Sequence, residues 1–367
     1  MKVLFVDLET EWRGGQNQAL LLLKALNARG DTIELVATRG SALAKRAISR
    51  RVKVHQVLRQ EPRISAALKI FNLTRDGSFD VVHANEAHSV TAAWLAGAQR
   101  RSGYIISRRV GFPIGKSRMA QARYQSAAKI VAISNWVAQR LVESGTPKDK
   151  LTVVYEGVDV PGVSSAEMRQ KVRARCGVAD DAPLLGSVGA LLPDKGHEFL
   201  IRAMPHLRHD FPGGKLLLVG NGPLRPQLEA LAKELGVSDM VIFSGFITEI
   251  EAVYPALDVF LFPSSFEGLG TALLSAMSHG VPSVAFDCCA FGEIIENGKN
   301  GLLVEKGSVD GLTRAAKQIL LDRHLALELS RAARQRIQEK FSSERMIAQM
   351  SNVYREVAAQ RRQAEFI

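Results

Sequence analysis

The chain has 367 residues, which at roughly 100–200 residues per domain points to two domains. Its 46% hydrophobic content suits packed cores and excludes a disordered chain, and three cysteines without a C-x-x-C pair argue against a disulfide framework or a cysteine zinc site. The 48 Lys and Arg against 37 Asp and Glu give a net charge of +11, and no apolar run approaches the ~18 residues of a membrane-spanning helix.

Met1 and Lys2 lead directly into an apolar run, which reads as a first strand and not as a signal peptide. Strands are predicted over Lys2–Val6, Ile33–Ala37, Val52–Val57, Asp80–Ala84, Tyr104–Ser107 and Ile130–Ile133. Helical stretches lie between them, such as Gln16–Ala28, whose apolar positions 19, 20, 22, 23 and 26 form a stripe. A second run of strands is predicted over Leu184–Val188, Leu216–Val219, Val241–Phe243, Val259–Phe262, Ser283–Phe286 and Gly301–Val304. Alternation of this kind means βαβ units and parallel sheets with helices on both faces. Residues 157–165, rich in Gly, Pro and Ser, read as the linker. Residues 344–362 have the apolar spacing of a helix, with Met346, Ile347, Met350, Val353, Tyr354 and Val357 on one stripe. The fold class expected is therefore α/β, with two doubly wound domains and ligand binding at the carboxyl ends of their strands.

The charge is concentrated. Residues 1–150 carry 25 basic and 11 acidic side chains, an excess of +14; the remainder carries 23 and 26, a balance of −3. The two halves are expected to meet different partners.

The second half holds three glycine-bearing turns at strand ends. The first, Gly186-Ser-Val-Gly189-Ala190-Leu-Leu-Pro193-Asp194-Lys195-Gly196, ends in a lysine that can act as a point charge for a diphosphate. The second, Gly220-Asn221-Gly222-Pro223, lacks the third glycine of a dinucleotide fingerprint, because Arg225 stands there. The third runs Phe262-Pro-Ser-Ser-Phe-Glu267-Gly268-Leu269-Gly270-Thr271 into a helix. Unpaired N–H groups at that helix start carry partial positive charge and suit a phosphate. Three such turns on one sheet suit a nucleoside diphosphate.

The order of these motifs resembles the retaining nucleotide-sugar glycosyltransferases of family 4, in the two-domain GT-B architecture. Further matches are Trp12-Arg-Gly14-Gly15-Gln16-Asn17 after the first strand, Asp80-Val-Val-His83-Ala-Asn85, Ser107-Arg108-Arg109-Val-Gly-Phe112-Pro113 and Val153-Val-Tyr-Glu156-Gly157-Val158-Asp159. The resemblance implies two Rossmann-like domains facing across a cleft, residues 1–160 for the acceptor and 161–343 for the donor. Residues 344–367 would return to pack on the first. It implies sugar transfer from a nucleoside-diphosphate sugar to an acceptor hydroxyl with retention of configuration and no required metal or other cofactor. Donor binding falls to Gly14, Gly15, Lys195, Gly220, Gly222, Glu267, Gly268, Leu269, Gly270, Thr271 and Ser275, and catalysis to His83, Asn85 and Glu267. The chain departs from the family pattern at Ala190, where an arginine is common, with Arg108 or Arg109 as compensating phosphate cations. It departs again at Ser275, where a second carboxylate is usual, at Asn85 in place of a histidine, and at Gly292 before Glu293.

Alternatives stay open at this level: a sugar-nucleotide 2-epimerase of the same fold, or a non-catalytic nucleotide-sugar binder. A dehydrogenase lacks its glycine fingerprint, and a nucleic-acid binder is disfavoured by 6% aromatics and no reading helix. The basic clusters at 45–63 and 100–123 suggest an anionic membrane surface and a lipid-linked or phosphorylated glycan acceptor, as in lipopolysaccharide core synthesis. The expected location is cytoplasmic, peripheral on the inner face of the cytoplasmic membrane.

Overall fold

A computed structural model describes residues 1–162 and 166–364. Of the expected linker, residues 163–165 lie outside the described residues. The chain forms two compact units, Met1–Gly157 with Ser343–Ile367, and Val158–Ser342.

The first unit is built on seven strands: β1 (Lys2–Asp7), β2 (Thr32–Thr38), β3 (Lys53–Val57), β4 (Val81–Ala84), β5 (Gly103–Arg108), β6 (Lys129–Ala132) and β7 (Leu151–Val153). They pair in the order 3-2-1-4-5-6-7, all parallel. The seventh strand was not expected; three half-buried residues leave too short an apolar pattern to detect. The second unit carries β8 (Leu184–Val188), β9 (Lys215–Val219), β10 (Val241–Gly245), β11 (Val259–Phe262), β12 (Ser283–Phe286) and β13 (Leu302–Val304). Their order is 10-9-8-11-12-13, again parallel. The central strands are buried on both faces, as apolar runs such as Val3–Val6 and Phe260–Phe262 require.

In both sheets the order reverses beside the first strand, between β1 and β4 and between β8 and β11. At such a point the connections leave to opposite faces, and the strand ends frame a crevice.

Helix Ser343–Ala364 belongs to the first unit. Its stripe of Met346, Ile347, Met350, Val353, Tyr354 and Val357 is buried in one core with Val3, Phe5, Val81 and Ile105. Gly103 makes the approach possible, because a Cβ there would lie 2.4 Å from Val357 Cγ1. The contact has a polar centre. The Tyr354 hydroxyl is 2.6 Å from His83 Nδ1, and the Ser107 hydroxyl is 2.7 Å from His83 Nε2. His83 is only 1% exposed, and burial together with the nearby Arg109 charge lowers its pKa to about 3.

That shift has a sign. His83 is neutral in the fold and binds a proton readily once unfolded, so its contribution is fully present above pH 6.5 and is lost as pH falls toward 3. Chemical denaturation across that window is expected to show a His83-dependent slope approaching ~1.4 kcal/mol per pH unit, and His83→Gln to flatten it.

Candidate active site

In the second unit the crevice beside β8 and β11 is lined by backbone turns. After β8, Gly189 N–H donates to the Val219 carbonyl and Leu191 N–H to that of Asn221, both at 3.0 Å, so this turn lies directly on Gly220–Gly222. A Cβ at Gly220 would stand 1.9 Å from the Gly189 carbonyl oxygen, at φ 144°. One at Gly222 would stand 2.4 Å from the Leu191 carbonyl oxygen. These two glycines therefore serve turn-on-turn packing, whatever else approaches them.

Lys195 is held where the turns meet. Its Nζ is 2.8 Å from Glu267 Oε1 and 3.0 Å from Asp194 Oδ2. Burial alone would lower its pKa, but Glu267 and Asp194 outweigh that and raise it, so the amine is charged at neutral pH. Ser264 fixes the acceptor by donating to Glu267 Oε1 at 3.2 Å and to the Asp194 carbonyl at 3.0 Å. Beyond Glu267, Gly268, Leu269 and Gly270 are buried and present backbone. Gly270 has φ 108° and precedes helix Thr271–Ser278 with no side-chain cap. The N–H groups of that helix start remain available for an anion.

Ser275 lies one turn on. Its hydroxyl is paired with the buried Tyr254 hydroxyl, and its carbonyl accepts from His279 Nδ1 at 2.8 Å. Glu251 Oε2 lies 3.3 Å from His279 Nε2.

In the first unit Asp7 ends β1 and Asn85 follows β4. Asp7 Oδ2 accepts from Asn85 Nδ2 at 2.7 Å and from Gln16 Nε2 at 3.2 Å. Burial, with Glu86 adding to it and the Asn85 hydrogen bond opposing, raises the Asp7 pKa to about 6. Asn85 Oδ1 in turn accepts from Arg109 Nη2 at 2.9 Å, and Arg109 Nη1 is paired with Glu156. Gly14 opens helix Gly14–Ala28, and Gly15 packs on Arg109, with 3.2 Å from a Cβ position to Cδ. So Gly15, Gln16, Asn85 and Arg109 share one polar cluster.

Two expected residues do not join these clusters. Arg108 is buried, with Nη1 donating to the Tyr124 hydroxyl at 3.0 Å and Nη2 to the Phe112 carbonyl. Its guanidinium anchors the segment after β5, and its Nε is buried without a partner. His83 has both ring nitrogens engaged in the core, which leaves none for proton transfer. A strand-end histidine reads the same in sequence whichever way its ring points.

Sequence reasoning also passed over Asp7 and His197. Asp7 lies just past the predicted first strand, Lys2–Val6, and is the last residue of β1; an acidic residue after an apolar run is the one available signal. His197 is 3% exposed, its Nδ1 has no partner, and its ring lies 3.8–3.9 Å from a Cβ position at Gly189. Burial holds its pKa down to about 4. Among the described residues, Glu9, Glu86 and His88 form the one group close enough to share a metal ion. Glu86 is already engaged there, accepting from the Ser89 and Leu8 backbone N–H groups at 2.7 and 3.2 Å.

The Arg109–Glu156 pair is largely buried, so removing one member leaves a charge without compensation. Arg109→Ala is expected to cost ~3 kcal/mol in urea denaturation, and adding Glu156→Gln to restore part of it.

Residues 12–160 match the model described as Glycosyltransferase Family 4, and residues 168–336 match Glycosyl transferases group 1. A GDP-mannose-dependent alpha-(1-6)-phosphatidylinositol monomannoside mannosyltransferase of Mycolicibacterium smegmatis is 30% identical over 274 residues, 67% of this chain and 72% of the relative. The lipopolysaccharide core biosynthesis glycosyltransferase LpsE of Rhizobium meliloti is 29% identical over 287 residues, 77% of each. An uncharacterized glycosyltransferase of Methanocaldococcus jannaschii is 33% identical over 217 residues, 57% of this chain but only 55% of its own length. Among solved structures, Anabaena HepE in complex with UDP-glucose superposes with a TM-score of 0.86 at 20% identity, covering 97% of this chain and 100% of HepE. Two parallel Rossmann-like sheets, a charged lysine between glycine turns and these matches have one reading: the chain belongs to the family 4 glycosyltransferases, with the GT-B fold.

Proposed function

We propose that this glycosyltransferase moves a sugar from a nucleoside-diphosphate sugar to an acceptor hydroxyl with retention of configuration, in the synthesis of an envelope glycan. The observation that carries the reading is Lys195, charged and 2.8 Å from Glu267, beside the uncapped start of helix Thr271–Ser278. Departure of a nucleoside diphosphate builds negative charge on phosphate oxygens. Lys195 and the helix N–H groups are fixed donors that stabilise such charge without rearrangement. A bound diphosphate would draw Lys195 partly away from Asp194, which is 39% exposed and can return to water. Glu267 would then face the donor sugar's hydroxyls.

In this scheme the positive charge comes from Lys195 and the helix start, so no metal is needed. Asn85, oriented by Asp7 and Arg109, can position a hydroxyl but cannot carry a proton at neutral pH. Proton acceptance by the departing phosphate itself suits a site with so few available bases. The relatives that act on phosphatidylinositol mannoside and in lipopolysaccharide core biosynthesis favour a lipid-linked or phosphorylated acceptor.

The first unit also has a surface that favours a membrane. Among the described residues no helix is long and apolar enough to cross one. Helix Pro62–Thr74, however, exposes Ile64 at 57%, Leu68 at 63% and Phe71 at 42%, spaced on one face. Arg63, Lys69 and Arg75 are exposed on the same segment, and the Arg101 guanidinium lies 4.5 Å above the Phe71 ring. An apolar stripe rimmed by cations fits an anionic bilayer surface, with ~1 kcal/mol from each nearby charge. We place the protein peripherally on the cytoplasmic face.

Incubated with a panel of UDP-, GDP- and ADP-sugars, the protein is expected to release nucleoside diphosphate only when acceptor is present, with EDTA without effect. Release without acceptor would favour hydrolysis or epimerisation, and binding without turnover a non-catalytic role. Lys195→Ala should weaken nucleotide binding by ~10–100-fold, the loss of one charge-assisted contact, in calorimetric titration. Vesicles containing phosphatidylglycerol should sediment the protein in low salt, less so at high salt, and less still for Leu68→Ser with Phe71→Ser. Sedimentation indifferent to anionic lipid would rule out the membrane surface.

A further inference from the structure

The loop after β12 carries two adjacent cysteines, Cys288 and Cys289, for which the transfer reaction has no use. Cys288 Sγ lies 3.5 Å from the Ser264 carbonyl oxygen, and Cys289 Sγ lies 3.5 Å from that of Ser265. Those carbonyls begin the loop that runs through Glu267 to Gly270. Lys306 Nζ donates to the same Ser265 carbonyl at 3.2 Å. In the neutral dithiol each S–H has its own carbonyl acceptor; when Cys289 ionises, the proton of the adjacent Cys288 thiol and the Glu267 backbone N–H favour the charge on its sulfur. Cys289 has φ 55°, a left-handed conformation that is uncommon outside glycine, so the surrounding structure dictates where its side chain points. Both residues are partly exposed.

The thiolate is the reactive form of cysteine. At Cys289 the Cys288 S–H, the Glu267 backbone N–H and the Lys306 ammonium, held beside it on the Ser265 carbonyl, favour negative charge, against burial and the Glu267 carboxylate. The Cys288 hydrogen bond contributes most to holding the Cys289 pKa down to about 7. Cys288, the donor in that pair, is pushed up, and burial pushes up Cys176 as well. The third cysteine thus provides an internal comparison.

We propose that Cys288 and Cys289 form a peroxide-reactive dithiol, with Cys289 attacking and Cys288 resolving, whose oxidation loosens the loop from Ser264 to Gly270. The Cys289 thiolate displaces hydroxide from hydrogen peroxide and becomes a sulfenic acid. Cys288 then attacks that sulfur, a disulfide forms, and the sulfenic oxygen leaves as water with the Cys288 proton. The proton originally on Cys289 neutralises the hydroxide, so two thiols and one peroxide give one disulfide and two waters. The neutral dithiol donates one S–H to each of the Ser264 and Ser265 carbonyls; the disulfide has no S–H, so both of these contacts are lost. Weaker nucleotide-sugar binding follows, a consequence that rests on the donor site proposed above.

The test uses the full chain. At pH 7, Cys289 should be alkylated by iodoacetamide ~10-fold faster than Cys176. Hydrogen peroxide should remove the mass of two hydrogens, peptide mapping should place the link at Cys288–Cys289, and dithiothreitol should reverse it. Amide hydrogen exchange of residues 264–270 should quicken several-fold on oxidation. Cys288→Ser should stop at a sulfenic acid that dimedone traps. Faster labelling of Cys176, over-oxidation without a disulfide, or a disulfide with unchanged loop exchange would each overturn the proposal. UDP and GDP titrations of the reduced protein read the donor site separately, so its failure is distinguishable from failure of the thiol chemistry.

Discussion

A parallel sheet whose strand order reverses cannot close over its own carboxyl ends. Helices leave the two central strands toward opposite faces, and the strand ends part. This chain meets that constraint twice, beside β1 and beside β8, and its notable polar groups gather at those two places. Asp7 ends β1 and Asn85 follows β4, paired at 2.7 Å. Lys195 and Glu267 follow β8 and β11, paired at 2.8 Å. Elsewhere along the strands, burial on both faces selects mostly apolar side chains, and the polar exceptions carry their own partners, as Glu34 of β2 does with Lys53 and His55 of β3.

The two crevices handle charge differently. In the first unit the polar groups satisfy one another in a chain from Gln16 through Asp7, Asn85 and Arg109 to Glu156. Each member depends on its neighbour, because an unpaired charge or amide at that depth is costly. In the second unit the arrangement is more open. Lys195 has two carboxylates, one of them partly exposed, and the neighbouring helix start offers unpaired N–H groups. A site with exchangeable partners for its cation can accept an incoming anion at modest cost. The near-neutral charge of the second half agrees with the proposed recognition by backbone groups and one lysine instead of by bulk charge.

The strong basicity of the first half divides on inspection. Arg108 and Arg109 are committed to internal partners. Arg63, Lys69 and Arg75 lie exposed beside Ile64, Leu68 and Phe71. The second group is placed to meet an outside surface, and apolar side chains are interleaved with it. The total of +14 therefore overstates the charge available to a partner.

The sequence by itself determined the alternation of strands and helices, the glycine turns, and the apolar stripe of the C-terminal helix, because periodicity and backbone permissiveness are local properties. It also marked Lys195 and Glu267 as separate site residues, since each sits in a contiguous motif; their pairing came from the fold. Tertiary structure decided which way side chains at strand ends point. His83 and Asn85 are two residues apart and leave β4 in the same direction, yet His83 is sealed beneath Tyr354 while Asn85 joins Asp7. Arg108 and Arg109 are adjacent, and alternation along β5 sends one into the core and the other to the crevice. Gly220 and Gly222 read as ligand glycines in one dimension; in three they are required because two backbones touch. The meeting of Cys288 and Cys289 with Ser264 and Ser265, across 24 positions of sequence, has no local signature at all. Contacts of that kind come from the packing of one loop on another, which no window along the chain contains.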